Sequence, residues 1–412
     1  MTILVEKYNG SILGNISLTA SKSESNRVLL MSALSKSPFE IRNLSKAKDT
    51  NTMNRLLESL DRQIWDVQEA GTTMRFCTAY LAMRGNDHVI TGTDRMKKRP
   101  IGLLVNALRA LGSKIEYIGK DGFPPLKISR LKNQLTKEVN IPGNISSQFI
   151  SAVLMISPLL PFGIKLNLKN DTFSRPYIEM TLGLMKHFGI EYNWEGQTIS
   201  IERQDYVSNS YTIESDWSGA SYWFTIASVA DNVELILYGL RRTSHQGDRK
   251  IIEIMKEFGI SSEYTENGLI LKKLGKHSEK IIIDFKTCPD LAQGLMVAAA
   301  LKGITLEMIG LETLRIKETD RLAAMTNELQ KINANLYEKE GVWYLIPGKL
   351  DFSPPIINTY EDHRMAMAFA PLALISPFKV REPDVVRKSY PSFWDDLASV
   401  GIVSKKIHND VR

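Results

Sequence analysis

The chain has 412 residues, of which 43% are hydrophobic and 24% are charged, a composition that is typical of a folded globular protein and excludes a disordered one. Its 52 Lys and Arg residues exceed its 46 Asp and Glu residues, but they form no basic stripe with interleaved aromatic residues, so no nucleic-acid partner is expected. This modest positive charge suits anionic small molecules, and the length predicts two or three domains of about 150 residues each.

Cysteine and histidine usage argues against disulfide and metal frameworks. Cys77 and Cys288 are too few for a disulfide framework, and the six histidines show no metal-binding spacing. The first residues lack the basic and apolar regions of a secretion signal. The most apolar stretch, residues 153–164, contains two prolines and is too short to span a bilayer. We therefore expect a soluble, cytoplasmic protein with no metal and no membrane partner.

Six segments along the chain begin with small or polar residues and continue as apolar stretches of helical length. They begin near Ser21, Ala70, Ser146, Ser218, Cys288 and Glu361. A helix that is apolar on all sides is buried, and its N-terminus carries unpaired N–H groups and a partial positive charge. If several such termini point into one cleft, they form a binding site for anions.

An amphipathic helix and a β-rich stretch follow each of these segments. Four of the amphipathic helices are followed by a glycine, the residue that a left-handed C-cap favours. These glycines are Gly112, Gly189, Gly259 and Gly401. The alternation has a period of about 70 residues and predicts six β-α-β-α-β-β repeats. The first repeat is short between residues 60 and 69, where a hairpin is missing. The alternative is an α/β protein without repeats whose helices end in glycine.

The first and third buried helices begin with residues that bind anions. Lys22 and Arg27 supply cations and Ser23 supplies a hydroxyl, a combination that suits a phosphate or a carboxylate. Residues 146–148, Ser-Ser-Gln, supply neutral hydrogen-bond donors. Capping of the helix by a serine side chain is an alternative explanation of these serines.

Further cations and carboxylates lie near later helix starts. Arg99 precedes a proline that suits a first helical turn, and Asp290 follows a proline, where an aspartate is often only a cap. In residues 317–321, KETDR, the bases Lys317 and Arg321 are four residues apart, so they would share a face if the segment is helical. The alternative is a solvent-exposed helix start held by salt bridges. Residues 360–364, YEDHR, open an apolar helix, where a buried His-Arg pair needs a ligand or a partner.

These groups together supply many cations, several hydroxyls and few carboxylates. Such a set suits one or two highly anionic substrates with acid–base chemistry. The sequence contains no phosphate-binding GxxxxGK[ST] loop, no GxGxxG after a strand and no GxSxG nucleophile elbow. Nucleotide-driven, nicotinamide-dependent and serine-hydrolase activities are therefore not supported.

Eight motifs in a fixed order carry a resemblance to a known family. They are SKSESNR, AGTTMR, RPIGLLVNALR, SSQF, RPYIEMTL, SDWSGASY, IKETDRL and DHRMAM, within residues 21–391. In this order they resemble the 5-enolpyruvylshikimate-3-phosphate synthase family. The resemblance implies a two-domain inside-out α/β barrel with three repeats per domain, residues 1–19 plus 214–412 forming one domain and residues 20–213 the other. It also implies a monomer with the active site in the cleft between the domains.

The resemblance implies an enzyme of aromatic amino-acid biosynthesis. The enolpyruvyl group of phosphoenolpyruvate is transferred to the 5-hydroxyl of shikimate 3-phosphate through a tetrahedral intermediate, and phosphate is released without a cofactor or metal. One alternative is the related transferase that acts on UDP-N-acetylglucosamine. That enzyme usually carries a cysteine on a glycine-rich mobile loop, whereas Cys77 and Cys288 of this chain lie in helical patterns. A second alternative is a non-catalytic protein that binds a phosphorylated metabolite.

The matched motifs also imply roles for individual residues. Shikimate 3-phosphate would be bound by Lys22, Ser23, Arg27, Ser146, Ser147, Gln148, Ser174, Asp290, Thr313 and Lys317. Phosphoenolpyruvate would be bound by Lys22, Gly71, Arg99, Gln148, Arg321, Arg364 and Lys388. The catalytic residues would be Asp290, which accepts the proton of the 5-hydroxyl, Glu318 as proton donor, Lys22, and His363 in an auxiliary role.

Three positions depart from the family pattern. Glu69 and Thr313 each stand where the family usually has asparagine, and Phe76 stands where proline is common. A carboxylate at position 69 would repel phosphoenolpyruvate unless it points away or pairs with a base. Thr313 keeps a hydroxyl but lacks the amide.

Overall fold

The computed structural model describes residues 1–144, 146–170, 172–266 and 268–407. These residues form twelve α-helices: α1 (Lys22–Leu34), α2 (Lys48–Leu57), α3 (Gly71–Arg84), α4 (Gly102–Leu111), α5 (Ser147–Ile156), α6 (Arg175–His187), α7 (Trp217–Val229), α8 (Ile251–Glu257), α9 (Ala292–Lys302), α10 (Arg321–Gln330), α11 (His363–Ala368) and α12 (Phe393–Ser399). No described helix is both long enough and apolar enough to cross a lipid bilayer.

The same residues form short β-strands between the helices. The strands are β1 (Thr2–Val5), β2 (Ile12–Ser17), β3 (Glu40–Arg42), β4 (Ile64–Asp66), β5 (His88–Thr91), β6 (Lys114–Tyr117), β7 (Leu126–Ser129), β8 (Glu138–Pro142), β9 (Ile164–Lys169), β10 (Asn193–Glu195), β11 (Thr198–Ile201), β12 (Ser210–Thr212), β13 (Val233–Tyr238), β14 (Ile260–Thr265), β15 (Gly268–Lys273), β16 (Lys280–Asp284), β17 (Thr305–Ile309), β18 (Asn335–Lys339), β19 (Val342–Ile346), β20 (Ile356–Ile357), β21 (Phe378–Arg381) and β22 (Ser404–Ile407).

The chain divides into two compact units with separate hydrophobic cores. Unit 1 consists of Met1–Thr19 and Glu214–Arg412, and unit 2 consists of Ala20–Ile213. Three buried helices of unit 1 (α7, α9 and α11) and three of unit 2 (α1, α3 and α5) alternate along the chain with amphipathic helices. In α9, ten of the eleven residues are buried, as an apolar helix enclosed by a core requires.

Unit 1 contains three four-stranded sheets with the orders β14-β15-β13-β2, β16-β17-β19-β18 and β20-β21-β1-β22. In each sheet two strands run parallel: β2 with β13, β16 with β17, and β20 with β21. The return from β16 to β17, and from β20 to β21, passes through a buried helix, because parallel neighbours require a crossover connection. Ile283 lies opposite Met308, and both are buried, so the alternating residues of β16 and β17 form the core face.

Unit 2 contains two four-stranded sheets, β4-β5-β7-β6 and β10-β11-β9-β8, and a two-stranded sheet of β12 and β3. The two-stranded sheet belongs to the first repeat, where α2 ends at Leu57 and β4 begins at Ile64. These few residues leave no room for a hairpin. The predicted loss of a hairpin from the first repeat is confirmed.

The last strands before the two crossings between the units, β2 in unit 1 and β12 in unit 2, explain how the repeats stay complete although the chain leaves unit 1 and returns. Strand β2 precedes the departure from unit 1 and pairs in parallel with β13, which lies more than 200 residues later. Strand β12 precedes the return and pairs in parallel with β3. Each unit therefore receives the first strand of one repeat from a distant part of the sequence.

The predicted glycine caps are confirmed. Gly112, Gly189, Gly259 and Gly401 follow α4, α6, α8 and α12 with φ values of 115°, 82°, 83° and 97°, a region that favours glycine. Each of these glycines turns the chain out of an amphipathic helix and toward the next strand. The repeat pattern therefore has a local backbone cause.

Candidate active site

A buried arginine organises the charged cluster of unit 1. Arg321 is the first residue of α10 and is only 2% exposed. Its Nε donates to Asp362 at 2.7 Å, while its terminal nitrogens donate to Asp290 at 3.0 Å and to Glu318 at 2.8 Å. Three carboxylates therefore contact one guanidinium, so this buried charge is paired and its donors are hydrogen-bonded.

Asp290 lies between three cations. It sits in the short 3-10 turn Pro289–Leu291 that leads into α9. One carboxylate oxygen accepts from Arg321, the other forms an ion pair with Arg364 at 3.1 Å, and Lys317 Nζ lies 3.9 Å from the carboxylate. Burial lowers the pKa of Lys317, while the Asp290 carboxylate opposes this shift. The side chain of Asp290 contacts basic groups, which capping alone does not explain.

Asp362 has two functions at the start of α11. Its carboxylate caps the helix by accepting from the backbone N–H of Arg364 at 2.9 Å, and it also holds Arg321. The adjacent His363 is buried, and its Nδ1 lies 3.7 Å from Asp362. The sequence indicated a special role for the YEDHR segment but did not single out this aspartate.

Arg364 connects the starts of the three buried helices of unit 1. From α11 it donates to the backbone oxygen of Asp290 at 3.1 Å and to the hydroxyl of Ser218, in the first turn of α7, at 3.3 Å. Lys388 reaches the same region, since its Nζ donates to the backbone oxygen of Glu361 at 2.8 Å. The structure therefore brings together cations and the N-termini of three buried helices within unit 1.

Lys317 and Thr313 precede α10. The helix begins only at Arg321, so Lys317 and Arg321 do not share one helical face, as they would if residues 317–321 were helical. Both bases nevertheless contact Asp290. Thr313 is buried in the 3-10 turn Glu312–Ile316, and its hydroxyl has no hydrogen-bond partner among the described residues.

Asp248 extends this cluster, although no sequence pattern singles it out. It is buried in the 3-10 turn Gly247–Lys250 ahead of α8, and it accepts a short hydrogen bond from the hydroxyl of Ser218. Burial raises the pKa of Asp248 to about 7, and the neighbouring Asp290 carboxylate adds to this effect. Asp248 is therefore linked through Ser218 to Arg364.

Replacement of Asp248 with asparagine should remove a pH-dependent loss of stability. Because the folded pKa lies above the ordinary value of 3.8, the stabilisation by the protonated carboxyl is complete below about pH 4 and is lost as the pH rises through 7. We expect the unmodified protein to lose about 3 kcal/mol of unfolding free energy between pH 5 and pH 8 relative to the variant. Urea unfolding at both pH values measures this difference, and Asp61→Asn, at an exposed carboxylate, is the control. Parallel pH curves for Asp248→Asn and the unmodified protein would contradict the assignment.

A second cluster lies at helix starts in unit 2. Lys22, the first residue of α1, forms an ion pair with Asp49 of α2 at 3.2 Å. The hydroxyl of Thr73, in the first turns of α3, donates to the backbone oxygen of Asp49 at 3.2 Å. Asp49 therefore connects the starts of α1, α2 and α3, a role that the sequence did not indicate.

Arg27 is held by side chains from two other helices. Its guanidinium donates to Thr181 at 2.7 Å and to Ser151 at 3.2 Å, and it also donates to the backbone oxygen of Tyr177 at 3.3 Å. The backbone oxygen of Ser23 accepts a further hydrogen bond at 2.9 Å. Burial lowers the pKa of Arg27 to about 10, so the side chain stays protonated at neutral pH. The hydrogen-bond partners of Arg27 are neutral groups, and the buried Glu24 carboxylate is the nearby negative charge that favours its protonated form.

The starts of α3 and α5 also meet. Gln148 donates to the hydroxyl of Thr72 at 3.3 Å, which places the first turns of both helices side by side. The guanidinium of Arg99 lies directly against Gly71, where a Cβ atom would clash with it. Arg75 donates to the backbone oxygens of Gly71 and Pro100, at 3.1 and 3.0 Å, and so positions the Arg99 turn.

The remaining predicted residues of unit 2 lie at the starts of α5 and α6. Ser146 precedes α5 and Ser174 precedes α6, and neither side chain makes a capping hydrogen bond within the described part of the chain. Ser147 is buried in the first turn of α5. Ser174 has a φ of 55°, an uncommon conformation for serine. Capping does not account for the hydroxyls of Ser146 and Ser174.

Comparison with known proteins identifies the family. The family model described as EPSP synthase (3-phosphoshikimate 1-carboxyvinyltransferase) matches residues 7–67 and 59–397. The chain belongs to the EPSP synthase family. A relative from Bacteroides fragilis named 3-phosphoshikimate 1-carboxyvinyltransferase is 46% identical, covering 95% of this chain and 96% of the relative. A relative of the same name from Neisseria meningitidis is 33% identical, covering 93% of this chain and 95% of the relative.

The fold is also that of a solved EPSP synthase. The structure of EPSP synthase from Acinetobacter baumannii superposes with a TM-score of 0.81 at 20% identity, covering 98% of this chain and 99% of that one. This match confirms the predicted two-domain α/β fold, and the sheets described above supply its six repeats.

The departures from the EPSP synthase pattern have local structural consequences. Glu69 forms an ion pair with Lys48 at 3.6 Å, so a base partly neutralises the carboxylate that replaces the usual asparagine. Phe76 is fully buried in α3 beneath Arg27, whose guanidinium carbon lies 5.3 Å from the ring centroid. Phe76 therefore packs against the guanidinium of Arg27, a residue that is predicted to bind shikimate 3-phosphate.

Proposed function

We propose that this chain transfers the enolpyruvyl group of phosphoenolpyruvate to the 5-hydroxyl of shikimate 3-phosphate and releases phosphate. Its family, and relatives that carry the name of this activity, support the proposal. The observation that carries it chemically is the buried cluster in which Arg321, Arg364 and Lys317 surround Asp290. The reaction belongs to the shikimate pathway, which leads to aromatic amino acids.

The charges of the two substrates explain why such clusters are needed. Each substrate carries a carboxylate and a phosphate, and four anionic groups repel one another strongly unless basic side chains surround them. We assign phosphoenolpyruvate to the cations of unit 1, Arg321, Arg364 and Lys388, together with Lys22, Arg99, Gly71 and Gln148. We assign shikimate 3-phosphate to Lys22, Ser23, Arg27, Ser146, Ser147, Gln148 and Ser174, together with Asp290, Thr313 and Lys317. Both clusters then serve one reaction, so variants in either cluster should impair the same activity.

The addition step needs one base and one acid. Asp290 takes the proton of the 5-hydroxyl as its oxygen attacks C2 of phosphoenolpyruvate, and Glu318 delivers a proton to the C3 methylene. In the tetrahedral intermediate the bond between C2 and the phosphate oxygen then breaks, and phosphate leaves with the electron pair. C3 loses a proton to the Glu318 carboxylate, which restores the carbon–carbon double bond. His363, buried beside Asp362, acts as an auxiliary residue.

The unit 1 cluster holds the proposed acid and the proposed base against one arginine. The carboxylate of Glu318 accepts from Arg321 at 2.8 Å, and the same guanidinium donates to Asp290 at 3.0 Å. Arg321 therefore positions both groups that take part in the proposed proton transfers.

The proposed enzyme works in the cytoplasm as a monomer and uses no cofactor or metal. Its cations take over the role that a metal ion has in many reactions of phosphorylated substrates, namely the stabilisation of charge that develops at oxygen. Water is excluded from the buried parts of both clusters, which strengthens these contacts.

Phosphate release tests the assignment. With purified protein and phosphoenolpyruvate, we expect phosphate to appear only when shikimate 3-phosphate is added, and the organic product to contain the enolpyruvyl group by mass spectrometry. Phosphate release with UDP-N-acetylglucosamine in place of shikimate 3-phosphate would overturn the substrate assignment. Tight binding of shikimate 3-phosphate without any turnover would favour the non-catalytic alternative.

A further inference from the structure

A basic pocket lies at the end of α7 opposite the candidate active site. The pocket has a volume of about 290 Å³ and is lined by Ser228, Asp231, Lys273, Lys276, His277 and Lys302, among others. Ser218, which contacts Arg364, is in the first turn of α7, whereas Ser228 is in the last, so the length of the helix, about 15–20 Å, separates the pocket from the cluster. The pocket is therefore distinct from the proposed site.

Two lysines of the pocket converge on one acceptor. Lys273, at the end of β15, donates to the backbone oxygen of Ser228 at 2.8 Å, and Lys302, at the end of α9, donates to the same oxygen at 3.0 Å. Their ammonium nitrogens are therefore within about 6 Å of each other, a distance at which like charges repel. One lysine would suffice to cap the C-terminus of α7, so capping does not explain the second.

The pocket favours a neutral amine on Lys302. Burial and, to a smaller extent, the Lys273 ammonium lower the pKa of Lys302 to about 8. The other charged or titratable groups that line the pocket in the described chain are Lys276, His277 and the single carboxylate Asp231. A substantial fraction of Lys302 is thus unprotonated near pH 8, which is the nucleophilic form of an amine.

We propose that this pocket is a lysine acylation site, in which Lys302 attacks an acyl phosphate while Lys273 and Lys276 bind the phosphate of the acyl donor. The lone pair of Lys302 Nζ adds to the acyl carbon, and the bond between that carbon and the phosphate oxygen breaks. Inorganic phosphate leaves with the electron pair, and the nitrogen loses a proton to solvent. The products are an amide on Lys302 and free phosphate, and no oxidant or reductant is involved.

The test is the rate of acetylation at each lysine after incubation of the protein with acetyl phosphate at pH 7.5, followed by peptide mass spectrometry. We expect Lys302 to react about 10-fold faster than Lys256, an exposed lysine on α8, because far more of its amine is unprotonated. Lys331, which is paired with Glu328 at 2.6 Å, is a partly buried control and should react slowly. If Lys302 reacts no faster than Lys256, the proposal is wrong.

Two variants separate the amine's reactivity from phosphate binding. Lys273→Met should shift the pH profile of Lys302 acetylation to higher pH and lower its rate at pH 7.5 several-fold. Lys276→Met should lower the rate with acetyl phosphate several-fold but leave the rate with uncharged acetic anhydride unchanged. Equal loss with both reagents, or no loss with either, would exclude a phosphate-binding role for Lys276 and overturn the proposal. Thermal unfolding of each variant verifies the fold, and the readout does not depend on the proposed enzyme activity.

Discussion

Replacement of Arg321 with methionine should lower turnover about 1,000-fold and destabilise unit 1 by about 3–5 kcal/mol. The guanidinium is buried and touches Asp290, Glu318 and Asp362, so its removal leaves three carboxylates facing one another without a cation between them. The proposed phosphoenolpyruvate site loses a cation at the same time. Initial rates of phosphate release and urea unfolding measure the two effects.

Two further variants show whether charge or geometry is responsible. Arg321→Lys keeps the charge, but an ammonium cannot reach three carboxylates with the planar arrangement of a guanidinium, so we expect most of the stability but at least a 10-fold loss of turnover. Arg315→Met removes an arginine of the same segment that is half-exposed and pairs with Glu338 at 2.8 Å. It should change turnover less than twofold. Nearly normal turnover of Arg321→Met would remove Arg321 from the proposed site.

Asp290→Asn and Glu318→Gln should each lower kcat about 100-fold or more. Asparagine cannot accept the proton of the 5-hydroxyl, and glutamine cannot deliver a proton to C3. The two variants should differ in KM for phosphoenolpyruvate. Asp290 pairs with both Arg321 and Arg364, so its neutralisation frees two cations, whereas Glu318 pairs with Arg321. Steady-state kinetics with each substrate varied separately measure these differences.

A control variant and the kinetic constants of each variant decide whether Asp290 and Glu318 are catalytic. Glu338→Gln, which neutralises an exposed carboxylate elsewhere in unit 1, is the matched control and should leave kcat and KM unchanged. If Asp290→Asn raises KM without lowering kcat, then Asp290 only positions the two arginines. If Glu318→Gln keeps full turnover, the proton for C3 comes from another group.

Two buried carboxylates of unit 1, Asp362 and Asp248, are not assigned to substrate binding but hold other residues of the cluster. Asp362 is fully buried, caps α11 and holds Arg321, and Asp248 is linked to Arg364 through Ser218. Such groups fix the orientation of the basic side chains before a substrate arrives. This preorganisation is effective because the cluster does not need to rearrange as charge develops.

The repeat architecture could be predicted from the sequence because its causes are local. An apolar stretch must be buried, an amphipathic stretch must cover a core, and a glycine after the last turn permits a left-handed cap, as at Gly112 and Gly259. The missing hairpin was visible as missing residues between α2 and β4. The site motifs could be read for the same reason, since Lys22 and Arg364 lie at the starts of buried helices, where basic residues are unusual.

The amino-acid sequence by itself thus determined the order of helices and strands, the two classes of helix and the basic residues at their starts. The tertiary structure alone decided which charges meet. Arg321 binds carboxylates that lie 3, 31 and 41 residues away in sequence, and Lys273 and Lys302 share one backbone oxygen although they belong to different elements. Local spacing sets the backbone conformation through short-range hydrogen bonds and sterics. Electrostatic partners instead depend on how distant helices pack, because the energy between two charges depends on their distance in space and on their burial.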